Sequence, residues 1–408
     1  MKRTLITNIG MLATPQGTAA RGGRAQGEIC ILKNAWIFIE NDVIAQVGTG
    51  TAPAAADAQT INAGGKLVTP GLVDAHTHLI FDGWRQNELA LKLHGAGYLD
   101  ILAAGGGILS TMRATQSASE EQLEAKASAA LDEMLRFGTT TAEAKSGYGL
   151  STGEECKALR VIGNLQKRHV MDLAATFMGA HAVPEAYRDN RQGYLELLCE
   201  EMLPAVREQG IAEFCDVFCE KGVFSAEESR RILLTGRQHG LRPKIHADEI
   251  EAIGGSELAG EIGAVSAEHL IVCPPSGIAS MARGGTVACC LPATSFYLGA
   301  AYAPVQDMVQ AGVPVAMATD FNPGSCPCLN MQLVISLGCL RYRLTPEQAL
   351  TAVTLNGAAA ICRADRIGSI EPGKQADILI WNAEDLDYIC YRLGSNLVDT
   401  VIKKGNVV

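Results

Sequence analysis

The sequence predicts an α/β protein: a (β/α)8 TIM-like barrel joined to a small β-sandwich domain built from both termini. Three observations support this fold class. Eight short apolar runs alternate with helical stretches through the middle of the chain, polar residues follow these runs, and both ends carry short β-like runs between turn residues. We therefore expect residues 1–67 and 366–408 to form the small domain and residues 68–365 to form the barrel.

The apolar runs give the positions of the expected barrel strands. They cover residues 72–76, 139–143, 173–177, 214–218, 243–246, 264–269, 286–291 and 315–320. Helical stretches such as 120–137 and 225–239 lie between them, and Ser225 with Glu228 predicts a capping box at the start of the second. Repeated strand-then-helix units favour parallel strands, and a closed barrel of this kind carries its chemistry at the carboxyl ends of the strands.

The composition of the chain limits the kinds of molecule that we expect it to bind. The chain has 408 residues, 48% of them hydrophobic, and a formal net charge of -10, which disfavours binding to nucleic acid. We find no secretory signal, and no apolar stretch approaches the roughly 20 residues that span a bilayer, so no membrane partner is expected. The 13 cysteines are scattered through apolar segments, which favours reduced thiols and a cytoplasmic location.

Four polar residues predict a metal site inside the barrel. His76 and His78 follow an apolar run, and the strand period of two places both imidazoles on one face. His246 ends the fifth predicted strand and Asp320 ends the eighth, so three imidazoles and a carboxylate can converge on one Zn or Fe ion. Two alternatives stay open: the histidines can be hydrogen-bonded polar residues without a metal, and Asp320 can cap the turn that follows it.

Longer segments carry a resemblance to a known family. Residues 67–78 resemble the first barrel strand of the amidohydrolase superfamily, and residues 354–359 and 368–378 resemble its return to the β domain. The resemblance runs almost the whole length and implies a metal-dependent hydrolase. Many members hold a second metal through a carboxylated lysine on the fourth strand, but Asp216 and Phe218 stand there instead and Lys221 lies beyond it. One metal ion is therefore expected, with two as the alternative.

Further segments resemble particular members of the superfamily. Residues 81–85, 143–150, 177–184 and 319–325 are similar to members that hydrolyse the cyclic amide of 4-imidazolone-5-propanoate to N-formimidoyl-L-glutamate in histidine degradation. The resemblance implies a small substrate that bears a carboxylate, and a homodimer. One alternative is an aminohydrolase of a purine or pyrimidine, which has no use for the carboxylate-binding Arg85 described next. Another is a non-catalytic binding protein on a decayed barrel, which predicts a missing site residue.

The resemblance also implies roles for individual residues. Glu249 would act as acid and base on the leaving ring nitrogen, His269 would orient it or polarise the developing oxyanion, and Asp320 would accept the proton of water. The expected substrate-binding residues are Arg85, Tyr148, His181, Glu249, Asn322, Gly324, Ser325 and Tyr98. Arg85 suits a carboxylate because guanidinium donates two parallel hydrogen bonds. Less specific interpretations are a solvated helix start for Glu249, a core histidine for His269, a surface ion pair for Arg85 and a plain turn at 322–325. Lys145 is expected in a loop.

Overall fold

The computed structural model of the chain describes residues 2–54, 57–94 and 106–408. It confirms the predicted fold class: eight parallel strands form a nearly closed barrel, and strands from both chain ends form a separate sheet. Each of the eight predicted apolar runs overlaps one barrel strand. The domain boundaries drawn at 67 and 366 stay a prediction.

The strands are numbered in chain order. Those before the barrel are β1 (Arg3–Thr14), β2 (Cys30–Glu40), β3 (Val43–Thr49), β4 (Gln59–Asn62) and β5 (Leu67–Pro70). The barrel strands are β6 (Leu72–Asp74), β7 (Thr139–Lys145), β8 (Asp172–Ala180), β9 (Phe214–Cys219), β10 (Arg242–Ala247), β11 (Ser266–His269), β12 (Val287–Cys290) and β13 (Val315–Met317). The chain ends with β14 (Ile378–Trp381), β15 (Val398–Lys403) and β16 (Asn406–Val407).

The α-helices of the described residues are numbered in the same way. They are α1 (Leu89–Leu93), α2 (Ile108–Ser117), α3 (Glu120–Arg136), α4 (Thr152–Arg168), α5 (Arg191–Glu196), α6 (Leu203–Gln209), α7 (Ala226–Gln238), α8 (Gly255–Glu261), α9 (Pro275–Gly284), α10 (Pro292–Leu298), α11 (Val305–Gln310), α12 (Met331–Tyr342), α13 (Pro346–Ala352), α14 (Leu355–Ala360) and α15 (Leu386–Tyr391). Short 3-10 turns occur at Gly23–Gly27, Gln86–Glu88 and Glu185–Tyr187, and a π-helical turn at Leu197–Met202 joins α5 to α6.

The helix starts follow from local chemistry. The predicted capping box is confirmed at α7, where the Ser225 side chain accepts from the Glu228 backbone N–H and the Glu228 side chain accepts from the Ser225 backbone N–H. Ser119 and Gln122 make the same reciprocal pair at α3. These side chains satisfy backbone donors that a helix leaves unpaired at its first turn. Among the described residues, no helix combines the length and apolar content that a bilayer crossing requires.

The small sheet joins the two chain ends. Its strand order is β16-β15-β14-β5-β1-β2-β3, and β4 also pairs with β1. Along β2 the buried residues Ala35, Ile37 and Ile39 alternate with more exposed ones, because successive side chains of a strand point to opposite faces. They pack with Ile378 and Ile402 from the C-terminal strands in one apolar core. Neither chain end supplies this core alone.

The barrel sheet runs in sequence order from β6 to β13, and neighbouring strands are parallel. A parallel bridge between Thr77 and Phe321 joins the ends of the first and last strands. There the His78 N–H donates to the Phe321 carbonyl at 2.9 Å and the Asp320 N–H donates to the His76 carbonyl at 3.1 Å. The barrel therefore closes at the residues that were predicted to bind a metal.

Candidate metal-dependent active site

The four predicted metal ligands meet at the carboxyl ends of the barrel strands. Oδ1 of Asp320 lies 3.4 Å from Nε2 of His76 and 3.5 Å from Nε2 of His78. Nε2 of His246 lies 3.3 Å from Nε2 of His78. All four side chains are buried. Residues that lie up to 244 positions apart in sequence (His76 to Asp320) thus present their donor atoms to one small volume.

The unsatisfied atoms of this cluster fit a cation. Nε2 of His76 and Oδ1 of Asp320 are buried and have no hydrogen-bond partner among the described residues. Buried polar atoms are nearly always paired, so two unpaired atoms only 3.4 Å apart fit a shared ligand. Donor atoms of His76, His78 and Asp320 lie within 4.8 Å of one another, and so do those of His76, His246 and His269. Imidazole nitrogen and carboxylate oxygen are the donors that Zn and Fe accept in proteins.

The histidines are neutral, as metal ligands must be. Burial, followed by the Lys145 ammonium, lowers the pKa of His76 well below its usual value. Burial, followed by the neighbouring His181, does the same to the pKa of His78. Burial lowers the pKa of His246 to about 4 against the opposing effect of Asp216. An uncharged imidazole keeps a lone pair for a cation, so burial leaves these three side chains able to bind one.

Two carboxylates orient the ligand rings. Nδ1 of His76 lies 2.9 Å from Oε2 of Glu268, and Nδ1 of His246 lies 3.1 Å from Oδ1 of Asp216. A carboxylate only accepts hydrogen bonds, so each Nδ1 carries the hydrogen and each Nε2 keeps its lone pair toward the cluster. Glu268 and Asp216 were not among the predicted site residues. Their signal was a carboxylate inside a predicted barrel strand, where an unpaired charge is costly.

Glu249 and His269 lie beside the ligand cluster. Oε2 of Glu249 is 3.6 Å from Nε2 of His269, and the Glu249 side chain keeps 17% exposure. Burial, with a further effect of Glu220, raises the pKa of Glu249 to about 7. His269 has a φ of 67°, a left-handed backbone conformation that a residue other than glycine adopts at a cost. The structure also places a donor atom of His269 close to those of His76 and His246, whereas the expected role of His269 was to orient Glu249 or polarise the oxyanion.

Tyr148 and His181 form one wall beside His78. The His181 ring stacks on the His78 ring at a centroid distance of 4.7 Å, and the Tyr148 ring lies 5.2 Å from His181. Nδ1 of His181 is hydrogen-bonded to the Gly147 carbonyl at 2.9 Å. The expectation of a loop position for Lys145 is wrong, because Lys145 is the last residue of β7 and is fully buried. The loop begins after it and carries Tyr148.

Arg85 is held by a neighbouring carboxylate. Its Nε and Nη2 donate to Oε1 and Oε2 of Glu88 at 2.9 Å each, and Glu88 is almost fully buried. The opposite side of the guanidinium faces Gly324, where a Cβ atom would lie 2.2 Å from Nη1. The less specific interpretation of Arg85 as a surface ion pair does not describe this pair, since the Arg85 side chain is only 13% exposed. Glu88 was not predicted from the sequence.

The segment after Asp320 forms a tight turn. The Asn322 side-chain oxygen accepts from the backbone N–H groups of Gly324 and Ser325 at 2.8 and 2.7 Å, and its amide donates to the Asp320 carbonyl at 2.7 Å. Asn322 therefore holds the turn together and positions the backbone beside Asp320. Tyr98, the remaining predicted site residue, lies outside the described residues.

Comparison with known proteins agrees with this geometry. The amidohydrolase family model matches residues 67–408, and the chain belongs to the amidohydrolase family. Across its full length it is similar to imidazolonepropionases. It is 50% identical to that of Alkaliphilus metalliredigens (strain QYMF) over 414 residues, which cover 100% of this chain and 98% of the relative. It is 48% identical to that of Bacillus cereus (strain G9842) over 410 residues, which cover 100% and 97%.

Solved structures share the fold at lower identity. E. coli guanine deaminase superposes with a TM-score of 0.75 at 16% identity, covering 100% of this chain and 99% of that one. An adenosine deaminase from Xanthomonas campestris with bound zinc gives a TM-score of 0.70 at 20% identity, covering 99% and 92%. At these identities the likeness extends to the fold.

Proposed function

We propose that this chain hydrolyses the ring amide of 4-imidazolone-5-propanoate to N-formimidoyl-L-glutamate, a step of histidine degradation. The observation that carries the proposal is the convergence of His76, His78, His246 and Asp320 in a chain 50% identical to an imidazolonepropionase. Water adds to the ring carbonyl carbon, the bond from that carbon to the ring nitrogen breaks, and the nitrogen takes a proton. The products of the cleavage, a carboxylate and an amidine nitrogen, stay in one molecule.

The same four residues would hold one zinc or iron ion. Such an ion, when bound, lowers the pKa of water and polarises a carbonyl oxygen. Three neutral imidazoles and one carboxylate suit both metals, and zinc is the metal of the structurally similar adenosine deaminase from Xanthomonas campestris. Elemental analysis of the purified protein distinguishes zinc from iron.

Two carboxyl groups would handle the protons. Oδ1 of Asp320 has no hydrogen-bond partner within residues 2–54, 57–94 and 106–408, and it accepts the proton of the attacking water, while the Thr294 hydroxyl holds Oδ2 at 2.7 Å. Glu249, with a pKa raised to about 7 by burial and by Glu220, populates both protonation states near neutral pH. It therefore carries a proton to the leaving ring nitrogen. His269, 3.6 Å from Glu249, orients that carboxyl group.

The substrate tail requires a cation, and Arg85 supplies it. Glu88 fixes the guanidinium by two hydrogen bonds and turns its Nη1 side toward the turn at Gly324, four residues beyond Asp320. The propionate would bind alongside this guanidinium and the turn of Asn322, Gly324 and Ser325, which already pack against each other. Tyr148 would donate a hydrogen bond to the ring, since burial raises the pKa of Tyr148 and keeps its hydroxyl protonated. His181 would accept one at Nε2, because its Nδ1 donates to the Gly147 carbonyl and burial lowers its pKa to about 4. A purine or pyrimidine has no carboxylate for this site.

We further propose a cytoplasmic homodimer. Support for the location comes from the cysteines, all 13 of which are free. The homodimer follows the family resemblance of the sequence.

A paired measurement tests the function. Two quantities are measured on the wild type and on Glu249→Gln. One is the rate at which imidazolone absorbance disappears, and the other is the number of metal ions per chain. We expect wild-type turnover with about one metal per chain, and a loss of about 100-fold or more in kcat with the metal retained in the variant. Glu251→Gln is the matched control, because Glu251 is an exposed neighbour paired with Lys221. Wild-type protein that deaminates a purine or pyrimidine and leaves the imidazolone unchanged would refute the proposal.

A further inference from the structure

A continuous chain of buried polar and charged side chains connects two residues of the candidate metal site. Its members are contributed by barrel strands β7, β9, β10 and β11 and by the residues after β6, and they contact one another in the order His76, Glu268, Lys244, Glu143, Lys145, Asp216, His246. Every one of these side chains is buried. The chain begins at one proposed metal ligand and ends at another.

One half of the chain passes through Lys145. Its ammonium lies 2.7 Å from Oδ2 of Asp216 and 2.8 Å from Oε2 of Glu143. The other oxygen of Asp216 accepts from the Val217 N–H at 2.8 Å and faces Nδ1 of His246 at 3.1 Å. Lys145 therefore holds one carboxylate oxygen so that the other is directed at the ligand ring.

The other half passes through Lys244. Its ammonium donates to Oε1 of Glu143 at 2.8 Å and to the Ala75 carbonyl at 3.1 Å, and it lies 3.5 Å from Oε1 of Glu268. The Ser266 hydroxyl donates to the same Glu268 oxygen at 2.5 Å, which leaves Oε2 for Nδ1 of His76 at 2.9 Å. The two halves meet at Glu143, which contacts both ammonium groups.

The positive and negative charges of this buried chain nearly cancel. Three carboxylates face two ammonium groups, so the buried chain carries one net negative charge. Burial acts to lower the pKa of Lys145, but Asp216 and Glu143 outweigh it and raise that pKa, so the side chain is an ammonium ion. Burying five charged groups is costly, and apolar side chains of similar volume often give equal or greater stability. The arrangement therefore calls for a role besides stability.

We propose that Lys145 and Lys244 are positioning residues for the metal ion, acting through Asp216 and Glu268 on the rings of His246 and His76. Each lysine fixes a carboxylate, and each carboxylate fixes the hydrogen on Nδ1 and the direction of Nε2. The inference rests on the proposed metal site. Removing either ammonium lets its carboxylate rotate and loosens a ligand ring.

If the lysines only balanced charge, Coulomb's law would predict the opposite effect of their removal on metal affinity. An ammonium ion close to a cation site repels the cation, so deleting it would tighten metal binding. Positioning predicts weaker binding on the same deletion. Mutating a residue that hydrogen-bonds to a metal ligand typically lowers metal affinity by about 10–100-fold, and we expect a loss of affinity of this size.

The test measures how tightly the zinc-loaded full chain retains its metal against a competing chelator. Lys145→Met alone leaves Asp216 without an ammonium partner and Glu143 with only that of Lys244, which can impair folding. The main variant is therefore the double change Lys145→Met with Glu143→Gln. It removes one charge of each sign and preserves the net charge. Lys244→Met with Glu143→Gln tests the other half in the same way.

Lys403→Met is the matched control. Lys403 is also buried and also bridges two carboxylates, Asp172 and Asp377 at 2.7 Å each, but it lies in β15 of the small sheet. We expect both double variants to need about 10–100-fold less chelator for half-depletion of zinc, and the control to match the wild type. Cobalt-substituted protein gives a second readout, a changed visible spectrum in the double variants only.

Double variants that hold zinc as tightly as Lys403→Met, or more tightly, would overturn the inference. Because the readout is metal retention, this result leaves the proposed reaction standing. Failure of the proposed function has a different signature, a wild-type chain that binds zinc and leaves the imidazolone intact.

Discussion

Glu88 holds Arg85 through two parallel hydrogen bonds of 2.9 Å, and both residues lie in the segment that follows the first barrel strand. Glu88 also accepts from the Gly107 N–H at 2.7 Å, which ties this segment to the start of α2. The arginine proposed to bind the substrate carboxylate is therefore oriented before substrate arrives. Such pre-orientation reduces the entropy lost on binding.

Glu88→Gln is expected to raise the KM for the imidazolone by about 10-fold, since hydrogen bonds to charged groups are worth about 1.5–3 kcal/mol. The value of kcat should change little, because the reacting bond lies elsewhere. Steady-state kinetics check this, and Glu185→Gln is the control because Glu185 is an exposed residue with a weak partner at 4.0 Å. A fall in kcat at unchanged KM would contradict this role.

Glu155 positions the loop that carries Tyr148. Its carboxylate accepts from the backbone N–H groups of Gly147, Gly149 and Leu150 at 3.1, 2.8 and 2.8 Å. Glu155→Ala leaves three buried donors unpaired, each at about 1–3 kcal/mol, so the free energy of unfolding should fall by about 3 kcal/mol or more. Denaturant titration measures it. Glu154→Ala, whose side chain pairs with Lys157, should stay within about 0.5 kcal/mol of the wild type.

Asp172 links the barrel to the small sheet and makes stability depend on pH. It pairs with Lys403 at 2.7 Å and Lys404 at 2.6 Å. Burial acts to raise the pKa of Asp172, but Lys403 and the other donors lower it from 3.8 to about 2. A folded-state pKa below the unfolded value stabilises the protein above about pH 4, and this contribution is lost as pH falls toward 2.

Asp172→Asn should therefore cost about 1 kcal/mol at pH 7, because solvent screens a side chain that is 36% exposed. The difference in the free energy of unfolding between variant and wild type should disappear as the pH approaches 2. Unfolding curves followed by circular dichroism across this range check the trend. A gap that stays constant down to pH 2 would show that charge pairing is not its cause.

Gly260 lies where the backbones of α8 and α9 pack closely against each other. A Cβ atom there would lie 2.2 Å from the backbone carbonyl of Ser280, which cannot move without shifting α9. Gly260→Ala should destabilise the protein by about 1–3 kcal/mol. Gly153→Ala in α4 is the matched control, since its Cβ would meet nothing within 4 Å and alanine favours a helix by up to about 1 kcal/mol. Equal melting temperatures for the two variants would argue against this packing.

The sequence by itself determined the fold class and predicted the four residues that meet at the candidate metal site. The eight strands were readable because each is a short apolar run, and the pairing of His76 with His78 was readable because the period of a strand is a local property. Both depend on residues a few positions apart. Capping of α7 by Ser225 and Glu228 is local in the same sense.

The tertiary structure alone decided which charges meet. Glu268 reaches His76 across 192 positions, Lys145 belongs to a buried strand rather than a loop, and Arg85 is already paired with Glu88. These contacts depend on which side chains of different strands share a level inside the barrel, and strand register is set by the packing of the whole sheet. The residue types that build the site could be found from sequence, whereas the partners that orient them came from closing the barrel.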